Sequence, residues 1–135
     1  MHTVTHINPE SLHRSPVFSH AIRVPARYDT IFVGGQNGTG PDGEVVGPGI
    51  GEQTRQAFEN LRACLRAAGA ELSDVVKWTI LCVEGVDMQE GFAASSEVLP
   101  RDAEPPAITV AIVSGLAVPG ALVEIEAVAV VPAAE

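Results

Sequence analysis

Ten consecutive residues near the C-terminus, Leu122–Val131, are apolar at both parities of a two-residue period apart from two glutamates. Ala121, Val123, Ile125, Ala127 and Ala129 fall on one face of a strand, and Leu122, Glu124, Glu126, Val128 and Val130 on the other. A strand wetted on one side alternates apolar and polar side chains, so this pattern demands cover on both faces of its sheet. Helices can supply one cover. Oligomerisation is the simple way to supply the other.

The remaining periodicities provide the sheet and the helices. Val75–Val83 reads as a central strand with Val76, Trp78, Ile80 and Cys82 on one face, and Ile108–Val113 as another strand. Ala57, Phe58, Leu61, Cys64, Leu65 and Ala68 recur at helical spacing before Gly69, with Arg55, Glu59, Arg62 and Arg66 opposite them. Asp87, with Glu90 three residues later, opens a second helix whose stripe is Met88, Phe92, Ser95 and Leu99, ending at Pro100. Upstream, Met1–Ile7 reads as an edge strand before the turn Asn8-Pro9-Glu10, and the segments at 18–24 and 30–33 read as a hairpin. The Gly- and Pro-rich stretch from Gly34 to Gly51 is a loop with a small bridge at Val45-Val46, and Pro132–Glu135 is a loose tail. The order β-β-β-α-β-α-β-β predicts an α+β fold, a mixed sheet with both helices packed on one face, as a single domain over residues 1–135.

Charge narrows the partners. Eight Lys and Arg face seventeen Asp and Glu, a net charge of −9 that repels polyphosphates and anionic lipid, so neither nucleic acid nor membrane is expected. With no apolar run near the ~18 residues of a membrane span and no leader-like start, the expected location is cytoplasmic. Cys64 and Cys82 are expected to be buried thiols, since neither spacing nor context suggests a disulfide scaffold or zinc site. His2 and His6 have a metal-like separation, but a strand does not bring such residues together, and no metal is expected.

Several segments, in this order, carry a family resemblance: Asn8-Pro9-Glu10, Phe18-Ser19-His20-Ala21, Phe32-Val33-Gly34-Gly35-Gln36, the stretch from Gln53 to Leu61, Ala68-Gly69-Ala70, Asp74–Thr79 and Gly120–Ala129. The chain resembles the Rid (reactive intermediate deaminase, YjgF-like) family over nearly its whole length. The resemblance implies a chorismate-mutase-like fold, a homotrimer and three clefts at subunit interfaces. Members with the full site hydrolyse enamines and imines made by pyridoxal-phosphate-dependent dehydratases, releasing ammonia and a 2-oxo acid. They need no metal or cofactor.

That chemistry requires a held carboxylate, an imine carbon presented to water, and a group that positions the water and moves protons. By resemblance Glu124 is the catalytic residue that contacts the water. A carboxylate buried on this strand would have a raised pKa; the plain alternative is a glutamate paired within an interface. Glu126 shares its face. The substrate carboxylate is held in the family by an Arg after a Pro-Ala pair, and here Pro106-Ala107 is followed by Ile108. An aliphatic side chain has no means of binding an anion, so this wall of the cleft is apolar, and Val110 is assigned to the same site. Arg101, a few residues upstream, is either a relocated cation or a solvated loop residue. Phe18 stands where many relatives have Tyr, Gly34 where many have Ser, and Phe92 near a common Asn; Phe92 is either cleft or core. Gly35 and Gln36 complete the candidate binding residues, the glycines allowing close approach and the amide both donating and accepting. His20 is either a proton carrier or an interface histidine.

Two main readings follow. One is a trimeric enzyme acting on a less anionic imine, enamine or enol; the other is a small-ligand-binding or regulatory trimer without catalysis. A ribonuclease, a label sometimes attached to this family, ranks last because the chain is acidic and offers no basic groove.

Overall fold

The computed structural model describes residues 3–134. Its elements are β1 (Thr5–Ile7), β2 (Ala21–Arg23), β3 (Tyr28–Gln36), α1 (Ile50–Ala67), β4 (Val75–Val83), α2 (Met88–Val98), β5 (Ala107–Val113) and β6 (Val123–Pro132), with a short 3-10 turn at Leu72–Asp74. The α+β order expected from sequence is present. Four strands form one mixed sheet in the order β3-β6-β4-β5, antiparallel except for the β4/β5 pair that α2 connects.

The core lies between this sheet and α1. Ala57, Phe58, Leu61 and Leu65 of α1 meet Val123, Ile125, Ala127 and Ala129 of β6, with Trp78 set edge-on to Phe58 at 5.3 Å. The helix begins at Ile50, earlier than its apolar stripe announces, because carboxylates take up its first N–H groups. Glu52 accepts from Gly49 N–H at 2.9 Å, and Glu90 of α2 accepts from Gly51 N–H at 2.8 Å. Gly69 closes α1 at φ +84°, as a left-handed cap requires. Fully buried Gln53 donates to the carbonyls of Gly47 and Gly120 and accepts from Leu122 N–H, tying the long loop, α1 and β6 together. Its amide thus satisfies groups that would each cost about 1–3 kcal/mol if left buried and unpaired.

Several expectations are corrected. β2 pairs with β1, in a separate two-stranded sheet, so the hairpin of β2 with β3 does not form. The polar turn before β3 puts Arg27 at φ +73° and redirects the chain. Of the expected first strand, only Thr5–Ile7 is strand, and Met1 and His2 lie outside the described residues. A register shift between Val75 and Lys77 sends Val75, not Val76, into the core with Trp78 and Cys82. The tail is tied down as far as Ala133, since Pro132 pairs with Tyr28 and Ala133 N–H donates to the Arg27 carbonyl at 2.8 Å. Cys64 is exposed and only Cys82 is buried.

The largest correction concerns α2. Its inward residue is Ala94, with Gly91, Ser95 and Val98 half-buried beside it, while Met88 and Phe92 of the expected stripe face outward. The helix packs chiefly on α1. It is held there by the Glu90 contact to Gly51 and by a bidentate pair between Arg55 and Glu97 at 2.7 and 3.2 Å. The helix-side face of β4 and β5 is therefore left open as a groove.

Candidate functional site

The open groove contains a cavity of about 570 Å3. Four of the residues singled out from sequence line it together: Phe18, Phe92, Ile108 and Val110. Register explains the grouping. Ile108 pairs with Trp78 and Val110 with Ile80, so all four point to the helix side, and among the described residues no further strand pairs with β5 at the sheet edge. Phe92 is 58% exposed and belongs to the cavity, not the core.

The N-terminal arm shapes the rim. His6 Nδ1 lies 3.0 Å from both the Pro105 carbonyl and Ser19 Oγ, and Ser19 N–H donates to Pro106 O at 2.9 Å. A carbonyl only accepts, so Nδ1 carries the proton. These bonds clamp the loop that delivers Ile108; the sequence offered no signal for them beyond a histidine on a short strand. His20 donates through Nε2 to the His13 carbonyl at 2.6 Å and stacks edge-on with Phe18 at 5.2 Å, so it buttresses the cavity wall without lining it. Arg101 and Glu104 both stand on the rim, exposed and opposite in sign.

The second group of candidates lies on the other face of the sheet. Glu124 pairs with Leu81, out of phase with the core residues Ile125 and Val123, and its side chain lies over Gly35. Gly34 and Gly35 occupy the register shift between Val33 and Gln36. The shift turns Gln36 toward the Ile125 position, where its amide donates to Gly34 O at 3.3 Å. Asn37 takes its place beside the glutamate: its Nδ2 donates to Val123 O at 3.0 Å and reaches Glu124 Oε1 at 3.4 Å. Asn60 in turn donates to the carbonyls of Asn37 and Thr39. Asn37 was missed by sequence reasoning because its side-chain amide is placed by β6, far along the chain, while Asn60 of α1 holds its carbonyl. Glu124 is half-buried, not fully buried as its strand suggested, since the face it occupies is uncovered in a single chain. On that face Phe32 is 80% exposed and Glu126 is exposed.

The two glycines differ sharply. A Cβ on Gly34 meets nothing, whereas one on Gly35 collides with the Glu124 carboxylate and its Cγ. Gly35→Ala is therefore expected to push the Glu124 side chain off its position and, on the acid-base role that the family resemblance implies for this residue, to lower turnover about tenfold. Gly34→Ala is expected to leave turnover unchanged. Steady-state kinetics on the two variants, with thermal melts as a folding control, check the contrast.

A family model described as endoribonuclease L-PSP matches residues 10–131. The chain belongs to the Rid family. Within it, the mouse protein named 2-iminobutanoate/2-iminopropanoate deaminase is 36% identical over 115 residues, 84% of this chain and 80% of that protein. A RutC family protein of Pyrococcus abyssi is 47% identical over 64 residues, a match that spans 47% of this chain and 48% of that protein. A solved structure of a conserved Rid protein from Yersinia pestis superposes with a TM-score of 0.84 at 32% identity, covering 95% of this chain and 98% of that one. RidA from an Antarctic Psychrobacter superposes at 0.69 with 29% identity, covering 92% and 94%. The Rid fold is thus shared over nearly the whole chain.

Among the described residues, no group of three or more His, Cys, Asp or Glu side chains is placed to hold a metal ion, and no helix is long and apolar enough to cross a membrane. Burial pushes the Cys82 thiol up, so it stays protonated at neutral pH and is not a ready nucleophile.

Proposed function

We propose that this Rid protein is a homotrimer whose inter-subunit clefts act on a small imine- or enamine-type molecule with an apolar or aromatic body. The observation that carries this reading is the division of the candidate residues between opposite faces of one sheet. Ile108, Val110, Phe92 and Phe18 lie on the helix side; Glu124, Gly35 and Asn37 lie on the other. No single chain brings the carboxylate to the cavity. A neighbouring copy does so if its uncovered face, with Phe32 at 80% exposure, seats against the groove.

In such a cleft Glu124 orients a water toward the imine carbon and accepts its proton as the C–O bond forms. The imine nitrogen receives that proton to give a carbinolamine; the same carboxylate then takes the hydroxyl proton and passes it to the nitrogen as the C–N bond breaks, so that ammonia leaves with a carbonyl product, and an enamine is first brought to its imine by tautomerisation on the same carboxylate. No step calls for a cofactor, and the site of action is cytoplasmic. Ile108 replaces a charged anchor by an aliphatic wall, which shifts the preferred substrate away from small 2-imino acids. That same replacement favours the second reading, a trimer that binds a small ligand without turning it over. A net charge of −9 with no basic groove speaks against RNA as the substrate.

Subunit mixing tests the cleft. Glu124→Gln and Ile108→Glu chains are each expected to be inactive toward a bulky aryl enamine. Unfolded together and refolded at equal ratio, they are expected to regain about a quarter of wild-type ammonia release, because each interface draws its two halves at random from two chains. No recovery from mixed oligomers would place both halves in one chain and end the proposal. A wild type that holds the enamine intact would favour the binder.

A further inference from the structure

A second cavity, of about 360 Å3, adjoins the first beside the N-terminal half of α2. The two share Ile80 and Val110 of the sheet and Phe92 and Ser95 of α2. Trp78 and Leu99 belong to the first alone, Cys82 and Met88 to the second alone, so the cavities follow one another along β4 and α2. Phe92 stands at their junction. Its ring is 58% exposed and has no aromatic partner among the described residues. Long side chains on a helix point back over the preceding turn, which here carries Met88, a residue of the second cavity. The base of the ring is fixed. Glu90 accepts from Gly51 N–H at 2.8 Å, Glu97 pairs with Arg55, and Ala94 between them is fully buried against the body of the protein. The helix therefore holds Phe92 over the groove from both sides of its position in the chain.

We propose that Phe92 is the specificity-determining partition of this groove: the ring ends the outer cavity and sets the length of the apolar body that the substrate carries. The proposal rests on the cleft being a small-molecule site and adds a limit to what that molecule is. Preferred substrates are imines or enamines with a compact aryl or branched body held between Ile108 and the ring. A body continued by a long unbranched chain is refused, because the chain meets the ring where it would otherwise run on over Ile80 and Val110. Discrimination is by shape, since no charged side chain lines the second cavity.

The test uses the whole protein and its only tryptophan, Trp78, which lines the outer cavity and reports occupancy by fluorescence. The probes are neutral alkyl phenyl ketones from acetophenone to octanophenone, which carry the carbonyl group of the proposed products. Each methylene taken out of water contributes about a fourfold gain in affinity. Wild type is expected to follow that increment over the short members and then to stop gaining. In Phe92→Ala the gain is expected to continue, so that octanophenone binds about tenfold or more tightly than to wild type while acetophenone stays within about threefold. Met88→Ala added to Phe92→Ala is expected to weaken octanophenone alone, because the tail then lies in the second cavity. A wild-type series that climbs without a break, a break that Phe92→Ala leaves in place, or a gain that Met88→Ala does not touch overturns the proposal. Ile108→Glu separates the layers. If it abolishes acetophenone binding while Phe92→Ala leaves the break in place, the cleft stands and the partition falls; if it affects no ketone, or wild type binds none, both fall.

Discussion

Glu124→Gln is expected to lower ammonia release from a bulky enamine by about 10²- to 10⁴-fold, the range that a positioned proton-transfer group supplies. The substitution keeps the shape of the side chain and an oxygen that can still accept from Asn37 Nδ2, so the local geometry survives. What goes is the negative charge and the capacity to take a proton from water. Among the described residues Glu124 forms no salt bridge, so neutralising it leaves no cation unpaired, and the thermal midpoint should stay close to wild type. Asn37→Ala separates position from chemistry. It leaves the carboxylate in place but frees it, so turnover should fall less than for Glu124→Gln, and the lost bond to Val123 O should cost stability. If Glu124→Gln turns over the enamine at the wild-type rate, the carboxylate is an interface residue and the chemistry belongs elsewhere.

The fold was legible where period and burial coincide. Two apolar parities on β6 marked a central strand, and the 57–68 stripe with Gly69 marked α1, because these patterns are local consequences of what each element packs against. Failures came where a distant group decides. The first turn of α1 depends on Glu90, which lies on another helix, so its glycines read as loop. The orientation of α2 depends on its attachment to α1, which local periodicity cannot express, and so the stripe Met88, Phe92, Ser95 and Leu99 does not mark its buried face, which centres on Ala94. A single-residue shift in β4 exchanged Val76 for Val75 for the same kind of reason.

The candidate site was legible as a set of residues but not as an arrangement. Counting parity along β6 places Glu124 opposite Val123 and Ile125, yet only the β4/β5 register puts Ile108 on the reverse side. Sequence spacing therefore grouped residues that the sheet divides between its two faces. Asn37 and Ser19 went unnoticed because each acts through a contact with a residue remote in the chain.

Ile108→Arg is expected to reverse substrate preference, with a swing of about 10²- to 10³-fold in relative kcat/KM between a small 2-imino acid and a bulky aryl enamine. Hydrogen bonds to a charged group contribute about 1.5–3 kcal/mol each, and a guanidinium meets a carboxylate with two, so the small acid should gain on the order of 10- to 100-fold. The enamine should lose about tenfold, because a cation now stands in a wall that its apolar body must touch. The fold should tolerate the change: Ile108 is half-buried on the edge strand, its neighbour Val110 is 51% exposed, and a long side chain there can carry its charge to the open rim. Parallel kinetics on both substrates check the swing. Wild type that already hydrolyses 2-iminopropanoate as well as Ile108→Arg does would mean that a cation reaches the site by another route. Arg101, which stands on the same rim, is the residue to replace first, and loss of that activity in Arg101→Gln would assign the anchor to the α2–β5 loop in place of the strand.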